Sequence, residues 1–106
     1  MLPEKHRSDK VRQSAKDMAC ALRIPGVCQG RRDTVVWCHS PYLEDGKGTG
    51  TKSHDILGCY GCADCHDVLD GRRTVKGIGG PDIWELFHRA LKRSLIMMWQ
   101  AGVRPW

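Results

Sequence analysis

Six cysteines in a chain of 106 residues constrain the fold more than any other feature of this sequence. Cys62 and Cys65 are separated by two residues, so their thiols lie on one turn and face a common point. Cys20 and Cys28 enclose Arg-Ile-Pro-Gly, a turn signal that brings the two sulfurs together. Four thiolates arranged in this way form a closed tetrahedral zinc site. The spacing predicts one structural zinc ion bound by Cys20, Cys28, Cys62 and Cys65, whose binding contributes directly to folding.

The same cysteines allow other interpretations. Two residues separate Cys59 from Cys62, as they separate Cys62 from Cys65. Cys59 and Cys62 therefore form a rival pair of candidate ligands. Cys62 and Cys65 are also spaced as a redox pair, although the sequence lacks the βαβ pattern that accompanies one. We favour Cys62 with Cys65 as metal ligands because His66 follows directly. Cys38 and Cys59 are then expected to be buried free thiols.

Length and composition predict a single domain over residues 1–106 with a thin apolar core. Aromatic residues make up 7% of the chain, so a metal is a plausible source of the missing stability. The longest apolar run, Leu95–Trp99, is far shorter than a membrane span. The segment Met1–Arg7 lacks the apolar core of a signal peptide. We therefore expect a cytoplasmic protein without membrane contact, in a reducing compartment where cysteines bind metals rather than form disulfides.

The charge balance favours a polyanionic partner. Seventeen Lys and Arg residues outnumber twelve Asp and Glu, for a net charge of +5. Basic residues recur as pairs at 31–32, 72–73 and 92–93. Gly46–Ser53 resembles a phosphate-binding loop but lacks its Gly-Lys-Ser/Thr ending, which indicates a mobile Gly/Lys loop able to contact phosphate. Nucleic acid is the expected partner, and the oligomeric state stays open.

Hydropathy periodicity and turn signals predict an α+β fold. Ser8 is a suitable cap for a first helix, Thr34–His39 is β-branched and aromatic, and Pro81 suits a first helical turn. The last helix has an apolar stripe at spacings of three and four residues. The predicted elements are a helix at 8–18, strands at 34–39 and 55–59 joined by a loop at 40–53, and helices at 62–69 and 81–101.

Histidines and carboxylates suggest a second, catalytic metal. His66 and Asp70 stand at i and i+4 and would share one face of a helix, where they could bind a hard divalent cation or form an ordinary surface pair. His39 ends the stronger strand and could act as a general base or simply be exposed. Asp55 could orient His39 or bind metal.

The order of these features resembles that of the zinc-containing HNH (ββα-metal) nucleases, and most closely the YbcO family of small phage and prophage nucleases. The matching stretches are Cys20–Cys28, Val36–His39, Asp55–Leu57 and Cys62–Asp70. The resemblance implies a small ββα-metal (HNH-like) fold over about residues 20–73, stabilised by the four-cysteine zinc site and flanked by N- and C-terminal helices.

The resemblance also implies a function and roles for particular residues. His39 matches the general base, His66 the metal-binding histidine and Asp70 a further ligand. Asp55 is nearest to the usual Asn of the motif, and Cys38 stands where a metal ligand often precedes the base. The implied activity is metal-dependent hydrolysis of DNA phosphodiester bonds, with DNA expected rather than RNA, in phage DNA recombination or processing. Mg²⁺ or Mn²⁺ is the expected catalytic ion, with Zn²⁺ as another option. The alternative is a non-catalytic, zinc-stabilised nucleic-acid-binding module.

Overall fold

The computed structural model describes residues 5–48 and 50–105 of a mixed α+β fold. Residues 1–4 of the predicted N-terminal lead-in, Thr49 of the Gly/Lys loop and Trp106 lie outside the described residues. Within the described part of the chain, no helix combines the length and apolar character that a membrane crossing requires. The helices and strands, in chain order, are α1 (Asp9–Gln13), β1 (Val36–His39), β2 (Gly58–Gly61), α2 (Ala63–Leu69) and α3 (Gly80–Gln100).

The two strands form an antiparallel sheet in which His39 pairs with Gly58 and Cys38 with Cys59. Gly58 is required by close packing, because a Cβ atom there would lie 2.7 Å from the indole nitrogen of Trp37. With that space free, Trp37 Nε1 donates a hydrogen bond to the Asp55 carbonyl oxygen at 2.7 Å. The strand that ends in His39 is thereby tied to the loop that carries Asp55.

The long helix α3 packs its apolar face against β2. Phe87, Ala90 and Met98 are fully buried on that face. Ser94, also buried there, accepts a hydrogen bond from the Tyr60 amide at 2.9 Å and donates one to the Ala90 carbonyl at 2.7 Å. The periodicity predicted this helix to within one residue at each end, because a long amphipathic stripe is the most readable signal in a sequence.

The predicted bounds of the other four elements differ from those in the structure. The second strand lies at Gly58–Gly61 rather than 55–59, because residues 54–57 form a turn closed by the Leu57 amide on the His54 carbonyl, 3.0 Å away. The first strand starts at Val36, since Thr34 belongs to a 3₁₀ turn. The first helix ends at Gln13 instead of residue 18, and the Ser14 hydroxyl bonds the Val11 carbonyl at 2.6 Å. Helix α2 begins at Ala63, one residue after its prediction.

Candidate active site

The four cysteines predicted to bind zinc lie together. Sγ atoms of Cys20, Cys28, Cys62 and Cys65 are all within 4.8 Å of one another. The Cys28 and Cys62 sulfurs are 4.0 Å apart. A tetrahedral zinc site with Zn–S bonds of about 2.3 Å has sulfur–sulfur edges of about 3.8 Å. The donor set and its spacing therefore fit a zinc ion.

The electrostatics of this thiol cluster also suit a cation. A hydrogen bond from Cys65 lowers the pKa of the Cys20 thiol to about 4, and the backbone amide of Cys62 assists by donating to the Cys20 sulfur at 3.3 Å. Because Cys65 is the donor in this hydrogen bond with Cys20, the pKa of the Cys65 thiol is raised. The hydrogen bonds within the cluster thus favour an ionised Cys20 sulfur, and a divalent cation would favour ionisation of the remaining thiols.

Cys59, the rival ligand, is excluded from the cluster by the sheet register. It lies opposite Cys38, and both thiols are fully buried. Burial raises the pKa of Cys59 well above its ordinary value, so it stays a neutral thiol. Cys38 Sγ contacts the carbonyl oxygens of Val36 and Gly61 rather than the surface, so the residue before His39 offers no ligand at the cleft described below.

The thiol cluster fixes where α2 starts and therefore where His66 points. Cys62 is the N-cap residue of α2, and the His66 amide donates to its carbonyl at 2.9 Å. His66 Nε2 lies 3.0 Å from Asp70 Oδ2, so the two residues meet on one helix face as their spacing predicted. Both side chains are partly exposed, which leaves them open to a ligand.

Arg72 joins this pair. Its Nη1 atom lies 3.3 Å from Asp70 Oδ2. Burial alone would raise the pKa of Asp70, but the hydrogen bond from His66 and the nearby charges of His66, Arg72 and Lys47 outweigh it and hold that pKa below 3.8. An ionised carboxylate beside an imidazole gives two ligands. Such a pair can contribute to the shell of a divalent ion whose remaining ligands are water and substrate phosphate.

His39 is held by a buried carboxylate. Its Nε2 atom lies 2.7 Å from Oδ1 of Asp55, whose side chain is 1% exposed. Asp55 comes from the turn before β2, and His39 ends β1. The Trp37 indole, which bonds the Asp55 backbone, keeps these two segments together. The structure therefore places Asp55 where it orients His39.

The surroundings of Asp55 keep it ionised. The Ser8 amide donates to Oδ2 at 2.6 Å, and Arg7 and Arg12 lie 3.4 and 3.5 Å from the carboxylate. Burial tends to raise the pKa of Asp55, but the Ser8 and His39 hydrogen bonds and the charges of Arg12 and His39 overcome it and set that pKa below 3.8. Since an ionised carboxylate only accepts hydrogen bonds, Nε2 of His39 is the donor. The lone pair of a neutral His39 ring is then on Nδ1.

His39, His66 and Asp70 line one cleft of about 720 Å³. Two elements that are far apart in sequence supply them, the end of β1 and the exposed face of α2. The cleft also carries the cationic side chains of Arg12, Lys47, Lys52 and Arg72. Because Asp55 is buried behind His39, Asp70 is the one acidic side chain among the described residues that line this cleft. The cleft combines a fixed imidazole, a His–Asp pair and a cationic lining, which suits an anionic substrate.

The basic pairs do not converge on this cleft. Of their six residues only Arg72 lines it. Arg31 instead pairs with Asp33, and Arg93 donates to the Ala21 carbonyl at 2.9 Å in a structural role. Lys47 and Lys52, from the predicted Gly/Lys loop, do reach the cleft. Arg12 was missed by sequence reasoning, because a polar residue on a short first helix carries no signal of the turn that it will approach.

Comparisons with known proteins agree on one family. The sequence model described as "Putative nuclease YbcO" matches residues 9–102. Two curated relatives, "Putative nuclease YbcO" of Escherichia coli (strain K12) and "Putative nuclease ybcO" of Enterobacteria phage 82, are each 44% identical over 64 residues. That match covers 60% of this chain and 65% of each relative, slightly under two thirds of their length.

A solved structure has a similar fold. It is described as "Structure of a putative bacteriophage protein from Escherichia coli str. K-12 substr. MG1655". The TM-score is 0.66 at 26% sequence identity, over 86% of this chain and 98% of that one. The similarity therefore extends well beyond the cysteine-rich segments.

Proposed function

Because the chain belongs to the YbcO family, we propose that it is a metal-dependent endonuclease of the HNH type that hydrolyses phosphodiester bonds of DNA during phage DNA recombination or processing. The observation that carries the proposal is the cleft in which His39, held by buried Asp55, faces the same space as His66 and Asp70. A general base and a pair of divalent-metal ligands are the parts that phosphodiester hydrolysis needs.

In the proposed reaction, Nδ1 of His39 takes a proton from a water molecule as the water oxygen attacks phosphorus. The new P–O bond forms while the bond from phosphorus to the leaving sugar oxygen breaks, and that oxygen gains a proton from solvent. Asp55 holds the ring in the tautomer that leaves Nδ1 free and stabilises the imidazolium that forms.

His66 and Asp70 would hold the divalent ion. When bound, it would polarise a phosphate oxygen and stabilise the charge on the leaving oxygen. The Asp70 carboxylate suits Mg²⁺ or Mn²⁺, which would complete their shells with water, while the His66 imidazole keeps Zn²⁺ as the other option. The four thiols of the cluster match zinc. The two proposed metal sites thus differ in ligand chemistry, and α2 contributes to both.

Lys47, Lys52 and Arg72 would bind backbone phosphates on either side of the reacting group. Contacts of this kind position a nucleic acid without reading its bases, so we expect cleavage to be tolerant of sequence. A net charge of +5 adds a general attraction for the polyanion.

The alternative is a zinc-stabilised binding module without catalysis. It uses the same thiol cluster and the same cationic lining, but it gives no role to the His39 imidazole that Asp55 holds at the cleft. A carboxylate that is 1% exposed and ionised is costly to bury, and such a cost is typical of a site where an imidazole must be oriented. That observation favours the nuclease.

A plasmid-nicking assay with Mg²⁺, Mn²⁺ or EDTA tests the proposal, with His39→Ala as the variant. We expect nicking that requires a divalent ion, its loss in His39→Ala, and unchanged zinc content, because the base acts only in the transition state. The variant should stay folded but be less stable, because it loses the hydrogen bond between His39 and Asp55. His88→Ala is the matched control, since His88 lies on α3 against Trp84 and away from the cleft. If the wild type cuts neither DNA nor RNA with any divalent ion, the binding module is correct; equal cutting by His39→Ala would refute the assigned base.

A further inference from the structure

Building on the proposed function, we infer that Arg12 is a phosphate-binding catalytic residue that contacts the non-bridging oxygens of the reacting phosphodiester. It comes from α1, outside the ββα unit, yet it lines the cleft together with His39, His66 and Asp70. The active site would therefore include the N-terminal segment as well as the two strands and α2.

The fold places Arg12 through Asp55. The Ser8 amide donates to Asp55 Oδ2 at 2.6 Å, and the Ser8 side chain caps α1 by accepting from the Val11 amide at 3.3 Å. The Arg12 amide in turn donates to the Ser8 carbonyl at 3.2 Å. The carboxylate that orients His39 thus also anchors the start of α1, which carries the guanidinium of Arg12 to the same cleft.

The guanidinium retains donors for a substrate. Nη1 of Arg12 lies 3.5 Å from Asp55 Oδ2, and the second carboxylate in contact with Arg12 is Asp9, bound through Nη2. Asp9 is 77% exposed, so water screens this ion pair and little free energy is lost when it breaks. A phosphate can replace Asp9 and take two parallel N–H donors in the geometry that guanidinium favours.

Arg7 shows what a purely supporting arginine looks like at the same carboxylate. Its Nη1 lies 3.4 Å from Asp55 Oδ1, and it also donates to the carbonyl oxygens of Ser53 at 2.6 Å and Lys52 at 3.0 Å. Those backbone bonds hold the guanidinium of Arg7, which is not part of the cleft lining. Both arginines touch Asp55, but only Arg12 also faces the space where substrate would lie.

The chemistry that Arg12 supplies follows from this position. Negative charge grows on the non-bridging oxygens as water attacks phosphorus, and a donor that is already in place stabilises that charge. Arg12 lies beside Asp55, the partner of His39, whereas Arg72 contacts Asp70 on α2. Arg12 and the proposed metal would therefore act on the phosphate from different elements.

Cleavage kinetics give the first test, with Arg12→Gln, Arg12→Lys and Arg7→Gln compared on a fluorescent DNA duplex. We expect Arg12→Gln to lower kcat by about 100-fold, the usual effect of removing one transition-state donor. Arg12→Lys should recover part of that loss, because it restores the charge without the two-pronged geometry. If Arg12→Gln and Arg7→Gln lower kcat equally and displace the acid limb of the pH–rate profile equally, Arg12 only supports Asp55 and the inference is overturned.

Equilibrium binding gives a second test that does not depend on cleavage. In a His39→Ala background with EDTA, the affinity for the same duplex is measured against salt concentration. Loss of one phosphate contact in Arg12→Gln should reduce the slope of log affinity against log salt by about 0.9. Arg89→Gln removes the same charge from an exposed site on α3, paired with Glu85, and should leave the slope unchanged.

The two tests separate the inference from the proposed function. If the wild type cleaves nothing but Arg12→Gln alone reduces the salt slope, the nuclease proposal fails and the phosphate contact stands. If Arg12→Gln and Arg89→Gln give the same slope, or if the wild type binds no duplex, Arg12 does not contact phosphate, whatever the activity of the wild type.

Discussion

Replacing Asp55 by Asn tests the central contact of the site with the smallest change of shape. The variant keeps the size of the side chain but removes its charge. An amide that presents its oxygen to Nε2 of His39 is a weaker acceptor, and one that presents its NH₂ group forces the other imidazole tautomer. Removal of an orienting carboxylate in this way lowers kcat by about 10⁴ in a serine protease, and we expect a loss of about 10³–10⁴ here.

The effect on stability follows from the bonds that Asp55 makes. The short contacts are those to the Ser8 amide at 2.6 Å and to His39 at 2.7 Å, and each hydrogen bond to a charged group contributes about 1.5–3 kcal/mol. The arginine contacts are longer, and water screens their partly exposed guanidinium groups, so they add little. Because Asn retains part of this bonding, we expect the free energy of unfolding to fall by about 2–4 kcal/mol.

Urea denaturation, zinc analysis and plasmid nicking on the same preparation separate the two effects. Asp33→Asn is the matched control, because Asp33 makes one solvent-exposed contact with Arg31 and its loss should change the free energy of unfolding by less than about 0.5 kcal/mol. The reasoning is refuted if Asp55→Asn nicks plasmid at the wild-type rate, or if its rate falls only in proportion to the fraction unfolded.

Three further results are expected. Cys62→Ala should lose zinc and much of the fold, whereas Cys59→Ala should keep its zinc, as read by elemental analysis; equal zinc in both would contradict the thiol cluster. Asp70→Ala should raise the Mn²⁺ concentration for half-maximal cleavage, and an unchanged requirement would place the ion elsewhere. Because the folded pKa of Asp55 lies below 3.8, the unfolded chain takes up this proton first as pH falls. The stabilisation that ionised Asp55 contributes is therefore complete at pH values well above its ordinary pKa. It is lost as the pH falls through the folded pKa. The urea midpoints of wild type and Asp55→Asn should converge as the pH falls through the folded pKa of Asp55. A difference that stays constant with pH would contradict this stabilisation.

Local chemistry made part of this molecule predictable from the sequence. The spacing of Cys62, Cys65 and His66 predicts a ligand-bearing turn followed by a helix because the relevant geometry spans less than two helical turns. The amphipathic stripe of α3 is readable for a similar reason, since a period of 3.6 residues depends only on the helix itself. The position of His66 relative to Asp70 follows from the same period.

The tertiary structure decided everything that depends on contacts between distant segments. Asp55 was predicted to open a strand, but hydrogen bonds from the Trp37 indole and the His39 imidazole hold it in a turn instead. Cys59 and Cys62 have the right spacing for a metal site, yet the sheet register turns Cys59 toward Cys38. No local pattern carries this information, because it arises from how the strands pair.

Arg12 is the clearest case of what the sequence alone leaves open. Its own helix is five residues long and carries no recognisable motif, so nothing nearby in the chain marks Arg12 as functional. Its place in the cleft comes from a carboxylate 43 positions later, which receives the Ser8 amide and so fixes where α1 starts. Helical periods and cysteine spacings are properties of short segments, so they can be predicted from the sequence alone. The arrangement of a buried charge with its donors is set only when the whole chain has packed. The donors that offset the cost of burying Asp55 come from the N-terminal segment and from β1, which are distant from it in sequence.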